Sequence, residues 1–429
     1  MRVCSTYRSS TDYDGRKGCR EYRLDAFDEL PEWDEETVIT LCGKDVSSVP
    51  EGFTGLVDVG DDDIPCGFRK IVSHHDFDGT PSADEIVSIL SATNGAEVTK
   101  GAFMVRSFVD LCSLLDASAS IGRRHVILGM GETGTVTRLR QRILGNEFTF
   151  GYVGEPTAPG QLGADEMSDL GDDCTVLGIT GNPLGHSMSP LMQGAAMKAA
   201  GIKGVYLRFQ SDSLDRIEDA IRGYDIRGMN VTIPYKTDIL AHLDRVDDVA
   251  GSVGAVNTIV NDNGTLKGYN TDVAGIVHAF GDGCPDNGSK ALIMGSGGAA
   301  RAAVAAMTGM GCEVTVVGRN PVTVNTISED FSVSGVLSAD VSDYDIVMNC
   351  TPIGMKEDTP YPADISGICD RHIVFDAVYN RTTELMSKAR SAGATILSGR
   401  DMLIGQGAEA FRLWFGMDAD IGAMEAVFR

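Results

Sequence analysis

Hydrophobic residues in the first third of the chain stand mostly in short runs that are separated by polar stretches. Five runs are rich in β-formers and predict strands, at residues 2–7 (RVCSTY), 37–41 (TVITL), 56–59 (LVDV), 69–73 (RKIVS) and 125–130 (HVILGM). Apolar residues at 82–93 and 107–120 recur instead with the period of a helix. Strands that alternate with helices predict β/α units.

A second β/α series follows an acidic stretch at 161–173 (QLGADEMSDLGDD), which has few large apolar residues and predicts a domain boundary. The new series begins with TVLGIT at 175–180. Within it, KALIMGSGGAARAAVAAM (290–307) has the pattern of a strand, a glycine turn and an alanine-rich helix, and EVTVVGRN (313–320) contains the next strand. The whole chain is therefore predicted to be α/β.

Composition agrees with a globular protein of two or three domains, since 43% of the 429 residues are hydrophobic and 23% are charged. No run of 18 apolar residues occurs and the N-terminus lacks a signal-peptide pattern, so we expect a soluble, cytoplasmic protein without membrane partners. A net charge of −25 disfavours nucleic acid as a partner. The ten cysteines are scattered without a CxxC pair, which favours reduced thiols and no metal site.

The glycine turn has a spacing that suits a dinucleotide. Gly295, Gly297 and Ala300 form a GxGxxA pattern between a strand and a helix, where glycine lets the backbone approach a pyrophosphate. The following strand ends in Gly318-Arg319-Asn320, which places a cation where a 2′-phosphate would lie and favours NADP over NAD. Alternatively, the GxGxxA turn binds no ligand, and Arg319 is a solvated surface arginine.

Three polar clusters lie upstream of this turn, at 181–190 (GNPLGHSMSP), at 230–236 (NVTIPYK), and at 254–258 with 268–272 (GAVNT, GYNTD). Each combines hydroxyl or amide side chains with a Gly or Pro that restrains the backbone. Such clusters suit a small polyhydroxylated acid. Hydroxyls would hold its carboxylate, amides its other hydroxyls, and a Lys/Asp pair would move the alcohol proton during hydride transfer. The corresponding side chains are Ser187 and Ser189, Asn230 and Asn257, and Lys236 with Asp272. Taken singly, these residues could equally be surface cations and loop caps.

With these motifs, residues 174–429 resemble the shikimate dehydrogenase family over their whole length. NCTPIGM (349–355) and GRDMLIGQGAEAF (399–411) complete the family's order. The resemblance implies NADP-dependent, reversible reduction of 3-dehydroshikimate to shikimate, in a cleft between a substrate domain and a Rossmann domain. It implies substrate-binding roles for Ser187, Ser189, Thr232, Asn257, Tyr379 and Gln406, catalysis by Lys236 and Asp272, and cofactor contacts from Gly295, Gly297, Gly298, Ala299, Arg319 and Asn320. Two departures are Gln193-Gly194 in place of His-Asn and Gly318-Arg319-Asn320 in place of Asn-Arg-Thr.

The N-terminal part has polar motifs at or near the ends of its predicted strands, where the side chains of a β/α barrel meet a ligand. They are EYRLD (21–25), SHHDF (73–77), EVTK (97–100), MGETGTVTR (130–138) and TAPGQ (157–161). A lysine near a histidine suggests Schiff-base chemistry. The amine condenses with a ketone, and the imidazole then deprotonates the neighbouring carbon.

These motifs resemble those of the type I 3-dehydroquinate dehydratase family. The resemblance implies that Lys100 is the Schiff-base lysine and His75 the general acid/base, while His74 has no role. Binding residues would be Glu21, Arg23, Arg138 and Gln161, with Arg138 on the carboxylate. The barrel is predicted to be trimmed, because the connections at 8–19, 43–54 and 60–69 are too short for full helices. Cys42 stands where the family has a substrate-binding arginine and a nearby glutamate is missing, so Arg8 or another cation substitutes or affinity is reduced.

We therefore expect a bifunctional enzyme whose partners are small molecules and whose cofactor is NADP(H), with a homodimer left open. The predicted domains are a barrel at 1–168, a substrate domain at 174–278 with 400–429, and a Rossmann domain at 279–399. One alternative is a working dehydrogenase fused to a non-catalytic, barrel-derived binding or regulatory module. A catalytically dead sensor is disfavoured because Lys236 and Asp272 are both present.

Overall fold

The computed structural model describes residues 1–27, 29–61, 67–93, 95–281, 283, 285–354 and 359–429. Cys66, Cys284 and Met355, which belong to the cysteines and motifs discussed above, lie outside the described residues. The chain divides into two compact units, and each is described by itself. Unit 1 comprises Met1–Pro190 and Ile202–Gly228, and unit 2 comprises Leu191–Gly201 and Met229–Arg429.

Unit 1 contains a nearly closed barrel of eight parallel strands. They are β1 (Val3–Tyr7), β2 (Arg20–Arg23), β3 (Thr37–Thr40), β4 (Leu56–Asp58), β5 (Arg69–Asp76), β6 (Val98–Met104), β7 (His125–Met130) and β8 (Thr149–Val153). Their order in the sheet is β7-β6-β5-β4-β3-β2-β1-β8, and all neighbours in this order are parallel. The predicted barrel is thereby confirmed, including the strands expected from each of the five apolar runs.

The barrel helices are unequal, as the short connections predict. They are α1 (Ala83–Ser91), α2 (Phe108–Ser120), α3 (Thr135–Leu139) and α4 (Ala164–Leu170). The connections after β1 and β3 contain only single 3₁₀ turns, at Ser10–Asp12 and Val46–Ser48. The longer helices α1 and α2 both begin with capping boxes, in which Ser82 pairs with Glu85 and Ser107 with Asp110.

The side chain of Asn146 bridges the open seam between β7 and β8. Its Oδ1 accepts a hydrogen bond of 2.7 Å from the N–H of Ile127, and its Nδ2 donates one of 2.9 Å to the carbonyl of the same residue. The amide thus supplies to β7 the donor and acceptor that the edge of β8 would offer in a closed barrel. Asn146 is buried, so these bonds satisfy backbone groups that water does not reach.

Unit 1 also contains β9 (Thr175–Gly181) and β10 (Gly204–Gln210), which are parallel neighbours, and α6 (Ile217–Gly223). These elements pack on the barrel. The rings of Phe108 and Phe209 stack with centroids 6.2 Å apart, and the Tyr224 hydroxyl donates to the Leu111 carbonyl at 2.8 Å. The region around the predicted boundary is therefore part of one packed unit.

Unit 2 begins with most of α5 (Ser189–Ala199) and continues with a mixed sheet and its helices. The sheet contains β11 (Gly228–Val231), β12 (Arg245–Val246), β13 (Thr258–Asp262) and β14 (Thr265–Tyr269), and the helices are α7 (Asp248–Val253) and α8 (Thr271–Phe280). The strand order is β11-β13-β14-β12. β13 and β14 form an antiparallel hairpin, so β14 leads directly into α8.

The remainder of unit 2 is a Rossmann-like sheet, as predicted. Its strands are β15 (Lys290–Met294), β16 (Glu313–Val317), β17 (Ser334–Val336), β18 (Ile346–Asn349), β19 (Ile373–Asp376) and β20 (Thr395–Ser398), and its helices are α9 (Gly298–Gly309), α10 (Pro321–Phe331), α11 (Glu384–Ala392), α12 (Gly399–Phe415) and α13 (Ile421–Ala426). All strands are parallel in the order β17-β16-β15-β18-β19-β20, the 3-2-1-4-5-6 order of dinucleotide-binding sheets. No helix among the described residues is both long and apolar enough to span a bilayer.

Candidate active sites

A cavity of about 120 Å³ opens at the carboxyl ends of the barrel strands. It is lined by Thr6, Glu21, Arg23, His75, Phe77, Lys100, Ala102, Leu128, Met130, Arg138, Phe150, Thr157, Ala158 and Gln161. All six residues to which the sequence assigns a role in the barrel are in this list. They come together because the ends of parallel barrel strands meet at one face.

Lys100 lies on β6 and forms a buried ion pair with Asp58. Its Nζ is 2.9 Å from Asp58 Oδ2 and lies 4.6 Å from the centre of the Phe150 ring. Burial alone would lower the pKa of Lys100, but the Asp58 and Glu21 carboxylates outweigh burial and leave that pKa above its ordinary value. The amine is therefore an ammonium before substrate arrives, and Asp58 is the group in contact that can take its proton.

Asp58 is itself held by several hydrogen bonds. Ser73 Oγ donates to its Oδ1 at 2.6 Å, and the N–H of Gly60 donates to the same atom at 3.1 Å. Burial would raise the pKa of Asp58, yet the Lys100 charge and these hydrogen bonds hold the pKa below its ordinary value. Ser73 is small and lies on β5 between the two charged residues, which lets the ion pair form across that strand.

His75 lies at the open mouth of the cavity, where its ring stacks on Phe77. Loss of water around the ring, together with the positive charge of Lys100, lowers the pKa of His75 to about 4. The imidazole is thus neutral at pH 7 and can accept a proton. His74 lies next to it and pairs instead with Asp61, its Nδ1 being 3.0 Å from Asp61 Oδ1. His74 is absent from the cavity lining.

Arg138 presents a buried guanidinium to the cavity. Its side chain is almost inaccessible and its Nε has no hydrogen-bond partner among the described residues. Burial lowers the pKa of Arg138 to about 10, which still leaves the group charged at neutral pH. A buried cation with an unused donor suits an anionic ligand group such as a carboxylate.

The other predicted binding residues already have partners in the protein. Both carboxylate oxygens of Glu21 accept 2.6 Å hydrogen bonds, one from Thr6 and one from Thr40. Gln161 Oε1 accepts from the backbone and hydroxyl of Thr157 at 2.8 and 2.9 Å. These hydrogen bonds hold Glu21 and Gln161 in fixed positions, from which each side chain would contact a ligand.

Arg8, which could have substituted for the arginine that the family has at Cys42, does not lie at the cavity. Arg8 is exposed, donates to the carbonyl of Pro156 at 3.5 Å and does not line the cavity. Arg23 does line it, and its Nη2 lies 3.1 Å from Asp25 Oδ2. Burial, with a contribution from Asp25, raises the pKa of Cys42 to about 11, so its thiol is neutral.

In unit 2, Lys236 and Asp272 form the pair that the sequence predicts. Lys236 Nζ lies 2.5 Å from Asp272 Oδ2, and Asn257 Nδ2 donates to Asp272 Oδ1 at 2.8 Å. Both Asp272 and Asn257 are buried. One carboxylate oxygen of Asp272 therefore accepts from the Asn257 amide, and the other contacts the Lys236 ammonium. This arrangement holds Lys236 beside a group that can carry a proton.

The position of Asp272 follows from the start of α8. Asn270 is the N-cap, and its Oδ1 accepts from the N–H of Asp272 at 3.1 Å. A carboxylate in the first turn of a helix is stabilised by the helix dipole. The neighbouring Thr271 donates to Gln406 Oε1 at 3.4 Å, so α12 brings Gln406 to the same cluster. Thr232 and Tyr379, the other two predicted residues of unit 2, are half-buried.

The glycine turn of the Rossmann sheet lies against this lysine. A Cβ added to Gly298 would be 3.1 Å from Lys236 Cδ, while one added to Gly297 would meet open space. Gly295 has φ +122°, a conformation that favours glycine. Ala299 is the next residue of α9 after Gly298. Open space at Gly297 and backbone at the N-terminus of α9 are the features that a pyrophosphate needs.

Arg319 and Asn320 follow β16 and are both exposed. Asn320 Oδ1 accepts from the N–H of Val322 at 3.0 Å and caps α10. Asn320 therefore has a structural role as the N-cap of α10, in addition to its predicted role as a cofactor contact. Among the described residues Arg319 forms no ion pair, which leaves its guanidinium available to an anion.

The two predicted serines belong to unit 1, in a segment that we call the serine loop (residues 181–190). Ser187 Oγ accepts from the N–H of Ser189 at 3.3 Å, and Ser189 is bonded to the hydroxyl of Tyr206. Arg208 donates to the carbonyl of Ser187 at 3.1 Å. The two hydroxyls are thereby held on a restrained loop.

Sequence reasoning missed Asp58 and the role of Gln193. Asp58 ends the LVDV run, and an acid at a barrel strand end was the available signal. Gln193, one of the two departures noted above, is buried and donates to the carbonyl of Gly407 on α12 at 2.8 Å. This contact restrains the helix next to Gln406. No residue pattern in the sequence indicates that contact.

Three stretches of the chain match protein-family models. Residues 63–171 match the type I 3-dehydroquinase family, residues 179–259 match the shikimate dehydrogenase substrate binding domain, and residues 399–427 match the shikimate 5′-dehydrogenase C-terminal domain.

Two curated relatives illustrate the similarity. The chain is 30% identical over 390 residues to the chloroplastic bifunctional 3-dehydroquinate dehydratase/shikimate dehydrogenase of Arabidopsis thaliana, a match that covers 83% of this chain and 64% of the plant protein. It is 37% identical over 267 residues to the NADP(+) shikimate dehydrogenase of Methanothermobacter thermautotrophicus, covering 58% of this chain and 94% of that protein.

Two solved structures of shikimate dehydrogenases resemble part of the chain. Shikimate dehydrogenase from Aquifex aeolicus matches with a TM-score of 0.57 and 32% identity, over 60% of this chain and 98% of its own. The enzyme from Thermus thermophilus, in complex with NADP(H) and shikimate, matches with a TM-score of 0.54 and 32% identity, over 59% of this chain and 98% of its own.

Proposed function

Because the chain belongs to the shikimate dehydrogenase family and carries a type I 3-dehydroquinase segment before that domain, we propose that it catalyses two successive reactions. The first is dehydration of 3-dehydroquinate to 3-dehydroshikimate, and the second is NADPH-dependent reduction of that product to shikimate. The observation that carries the proposal is the cavity in which Lys100, His75 and Arg138 come together.

In the dehydration, Arg138 binds the substrate carboxylate. Lys100 transfers a proton to Asp58, and its amine attacks the ketone carbon to form a carbinolamine. Asp58 returns the proton to the carbinolamine hydroxyl, which leaves as water, and an iminium forms between the lysine nitrogen and the substrate carbon. The iminium acidifies the adjacent carbon, from which neutral His75 takes a proton. The resulting imidazolium then protonates the departing hydroxyl, and water hydrolyses the imine to regenerate Lys100.

In the reduction, Ser187 and Ser189 bind the carboxylate of the substrate, and Thr232, Asn257, Tyr379 and Gln406 hold its ring. NADPH supplies the hydride when bound. Lys236 gives a proton to the carbonyl oxygen as it becomes an alcohol, and Asp272 keeps the ammonium in place. The glycine turn with Gly295, Gly297, Gly298 and Ala299 would hold the pyrophosphate, and Arg319 with Asn320 the 2′-phosphate.

Borohydride trapping tests the dehydratase assignment. Incubation with dehydroquinate and borohydride should fix the mass of the reduced ligand on the peptide that contains Lys100. His75→Ala should abolish dehydration and still permit trapping, because condensation requires only the amine. His74→Ala is the matched control and should change neither. An adduct on another lysine, or none, would reject the Schiff-base role of Lys100.

Steady-state kinetics test the dehydrogenase assignment. Lys236→Ala and Asp272→Asn should each lower kcat by about 100-fold or more, the effect expected from losing a positioned acid/base group. Lys267→Ala is a suitable control, since its ammonium lies over the Tyr269 ring and takes no part in the pair. Near-normal turnover in either of the first two variants would remove that residue from the mechanism.

The alternative in which the barrel is a non-catalytic module is less well supported. A passive barrel has no need to bring together in one cavity a buried ion pair, a neutral histidine and an arginine whose Nε has no partner among the described residues. Small molecules are the partners that the two sites support. The cytoplasmic location, the homodimer, and the absence of metal and nucleic-acid partners stay predictions.

A further inference from the structure

Arg208 joins the serine loop to the loop that follows β7 in the barrel. Its Nη1 donates to Glu132 Oε1 at 2.9 Å, and its Nη2 donates to the carbonyl of Ser187 at 3.1 Å. Glu132 belongs to MGETGTVTR, a motif at the end of a barrel strand, and Ser187 is one of the two predicted carboxylate-binding serines. One guanidinium therefore contacts a loop of each of the two predicted catalytic parts.

A second link runs parallel to the first. Thr133 Oγ1 donates to the carbonyl of Gln210 at 3.4 Å, and Gln210 Oε1 accepts from the N–H of Leu184 in the serine loop at 3.0 Å. Arg208 and Gln210 are two positions apart on β10, so their side chains leave the strand on the same side. The serine loop is thus held at two points by one face of β10, and both side chains belong to residues that also contact the loop after β7.

The same barrel loop is bonded to the segment that carries Gln161. The N–H of Gly131 donates to the carbonyl of Pro159 at 3.2 Å, and Thr135 Oγ1 donates to the carbonyl of Gly160 at 3.1 Å. A Cβ at Gly160 would lie 2.1 Å from the Gly131 carbonyl oxygen, so the two backbones are in direct contact. Arg138 follows on α3 and Gln161 follows Gly160, and both line the cavity.

We propose that Arg208 is a positioning residue for the serine loop, and that a ligand bound in the barrel cavity strengthens shikimate binding through it. The proposal rests on the proposed function, because it takes the serine loop as the shikimate carboxylate site. A ligand on Arg138 and Gln161 orders the two loops that meet at Gly131 and Gly160, and hence Glu132 and Arg208. The serine loop then loses less conformational freedom when shikimate binds.

The first test is the kinetics of shikimate oxidation by the full chain. Arg208→Ala should raise the KM for shikimate about tenfold and leave kcat within about twofold, because a lost positioning contact weakens ground-state and transition-state binding alike. Arg208→Lys, which keeps the charge but reaches one partner at a time, should recover part of the loss. A KM unchanged by Arg208→Ala would overturn the positioning role.

A matched control and a milder variant keep this test independent of folding. Arg216 also joins the barrel to the following segment, through Asp116 at 2.7 Å, and has no hydrogen bond to the serine loop among the described contacts. Arg216→Ala should leave the KM for shikimate unchanged. Glu132→Gln removes only one exposed charge, so a KM rise of about twofold is expected from a surface ion pair. If Arg216→Ala raised the KM for shikimate by more than about twofold, the effect of Arg208→Ala could be explained by destabilisation of unit 1. That result would overturn the proposal.

The second test measures coupling in a His75→Ala background, which holds dehydroquinate in the cavity without dehydrating it. Added dehydroquinate should lower the KM for shikimate about threefold, a coupling at the weak end of the usual range. Arg138→Met or Arg208→Ala in this background should abolish the effect. Direct competition at the dehydrogenase would instead raise the KM and would persist with Arg138→Met, which would overturn the coupling.

Calorimetry distinguishes failure of the coupling from failure of the proposed function. If dehydroquinate binds His75→Ala and not His75→Ala/Arg138→Met, the cavity is its site, and an unchanged KM for shikimate then rejects the coupling alone. If dehydroquinate binds neither variant, the dehydratase assignment fails and the coupling fails with it.

Discussion

At the scale of single residues, the barrel cavity depends on charges that compensate one another. The Lys100 ammonium and the Asp58 carboxylate are both almost fully buried and 2.9 Å apart. Neither charge would be stable alone in that position, because removal from water costs several kcal/mol for each ion. The site proposed for chemistry at Lys100 therefore requires Asp58 for its stability.

We predict that Lys100→Met lowers the free energy of unfolding by about 3–5 kcal/mol, since it leaves the Asp58 carboxylate buried without its partner. A further Asp58→Asn change should recover most of this loss. Urea unfolding followed by circular dichroism measures both variants. Arg142→Met is the control, because that side chain is 74% exposed in its ion pair with Asp172. Equal stabilities of the single and double variants would contradict the prediction.

The same pair has a defined pH dependence. Because the pKa of Asp58 is below its ordinary value of 3.8 in the folded protein, its stabilisation is present above pH 3.8 and is lost as the pH falls through the folded value. The Asp58→Asn/Lys100→Met variant should lack this loss. Unfolding free energies of the unchanged chain and of the double variant should therefore be similar at neutral pH and separate as the pH falls into that window, with the unchanged chain becoming the less stable protein. Parallel curves would contradict the assignment.

We predict that the choice of cofactor depends on Arg319. We expect Arg319→Ala to weaken NADPH binding about tenfold or more, the effect of losing a charge-assisted hydrogen bond to a phosphate, and to leave NADH nearly unchanged. Fluorescence titration with both cofactors measures this difference. Asn320→Ala should differ, because the side chain also caps α10 and its loss lowers stability. Equal weakening of NADPH and NADH by Arg319→Ala would make the arginine structural.

At the scale of elements, the barrel is completed by a side chain at its one open seam. The side chain of Asn146 forms hydrogen bonds with the N–H and the carbonyl of Ile127. The backbone carbonyl of Asn146 accepts a hydrogen bond from Gln141 Nε2 at 3.3 Å. Strand edges are otherwise satisfied by neighbouring strands. The Asn146 amide therefore supplements the backbone hydrogen bond of 3.0 Å from the N–H of Glu147 to the carbonyl of His125 at the seam between β7 and β8.

We predict that Asn146→Ala lowers the free energy of unfolding by about 2–3 kcal/mol, because it leaves the N–H and the carbonyl of Ile127 without partners in a buried position. Hydrogen exchange at Ile127 should accelerate as well. Ser168→Ala, which removes a side-chain hydrogen bond of the exposed Ser168 within α4, should change stability by less than about 0.5 kcal/mol. An unchanged exchange rate at Ile127 would show that the seam is closed by other means.

At the scale of the whole molecule, the barrel and the first strands of the next segment form one packed unit. Arg140 is buried and donates to the carbonyls of Tyr224, Cys174, Asp225 and Asp172 at 2.8, 3.1, 3.2 and 3.3 Å. Four carbonyl groups from two separate stretches of chain are thereby satisfied by one side chain. Cutting the chain near residue 170 would expose this contact and the stacked pair Phe108 and Phe209.

We predict that Arg140→Met lowers the free energy of unfolding by about 3 kcal/mol, because several buried carbonyls lose a charged donor together. Both enzymatic activities should then fall in the same thermal transition, at a lower temperature than in the unchanged chain. Activity assays after graded heating measure the two midpoints. Separate midpoints, with only the dehydratase shifted, would contradict the packing of unit 1 as a single cooperative body.

The sequence by itself determined the helices and strands, and it also determined the strand ends at which the candidate sites lie. Alternating strands and helices follow from hydrophobic periodicity, which reflects backbone geometry that every residue shares. The motifs with Lys100, His75 and Arg138 could be assigned to one site, because parallel strands of a barrel all end at the same face. The glycine turn before α9 was predictable for a similar reason, since its conformation is local.

Only the tertiary structure decided which charged groups meet. Asp58 and Lys100 are 42 residues apart and lie on strands separated by β5, so their contact depends on sheet order and on the small Ser73 between them. Glu132 and Arg208 are 76 residues apart and belong to different predicted domains. Such pairings arise from packing between elements that are distant in the sequence. The local spacing of residues does not indicate which elements pack together. The partners that determine protonation and loop position therefore appear only when the chain is folded.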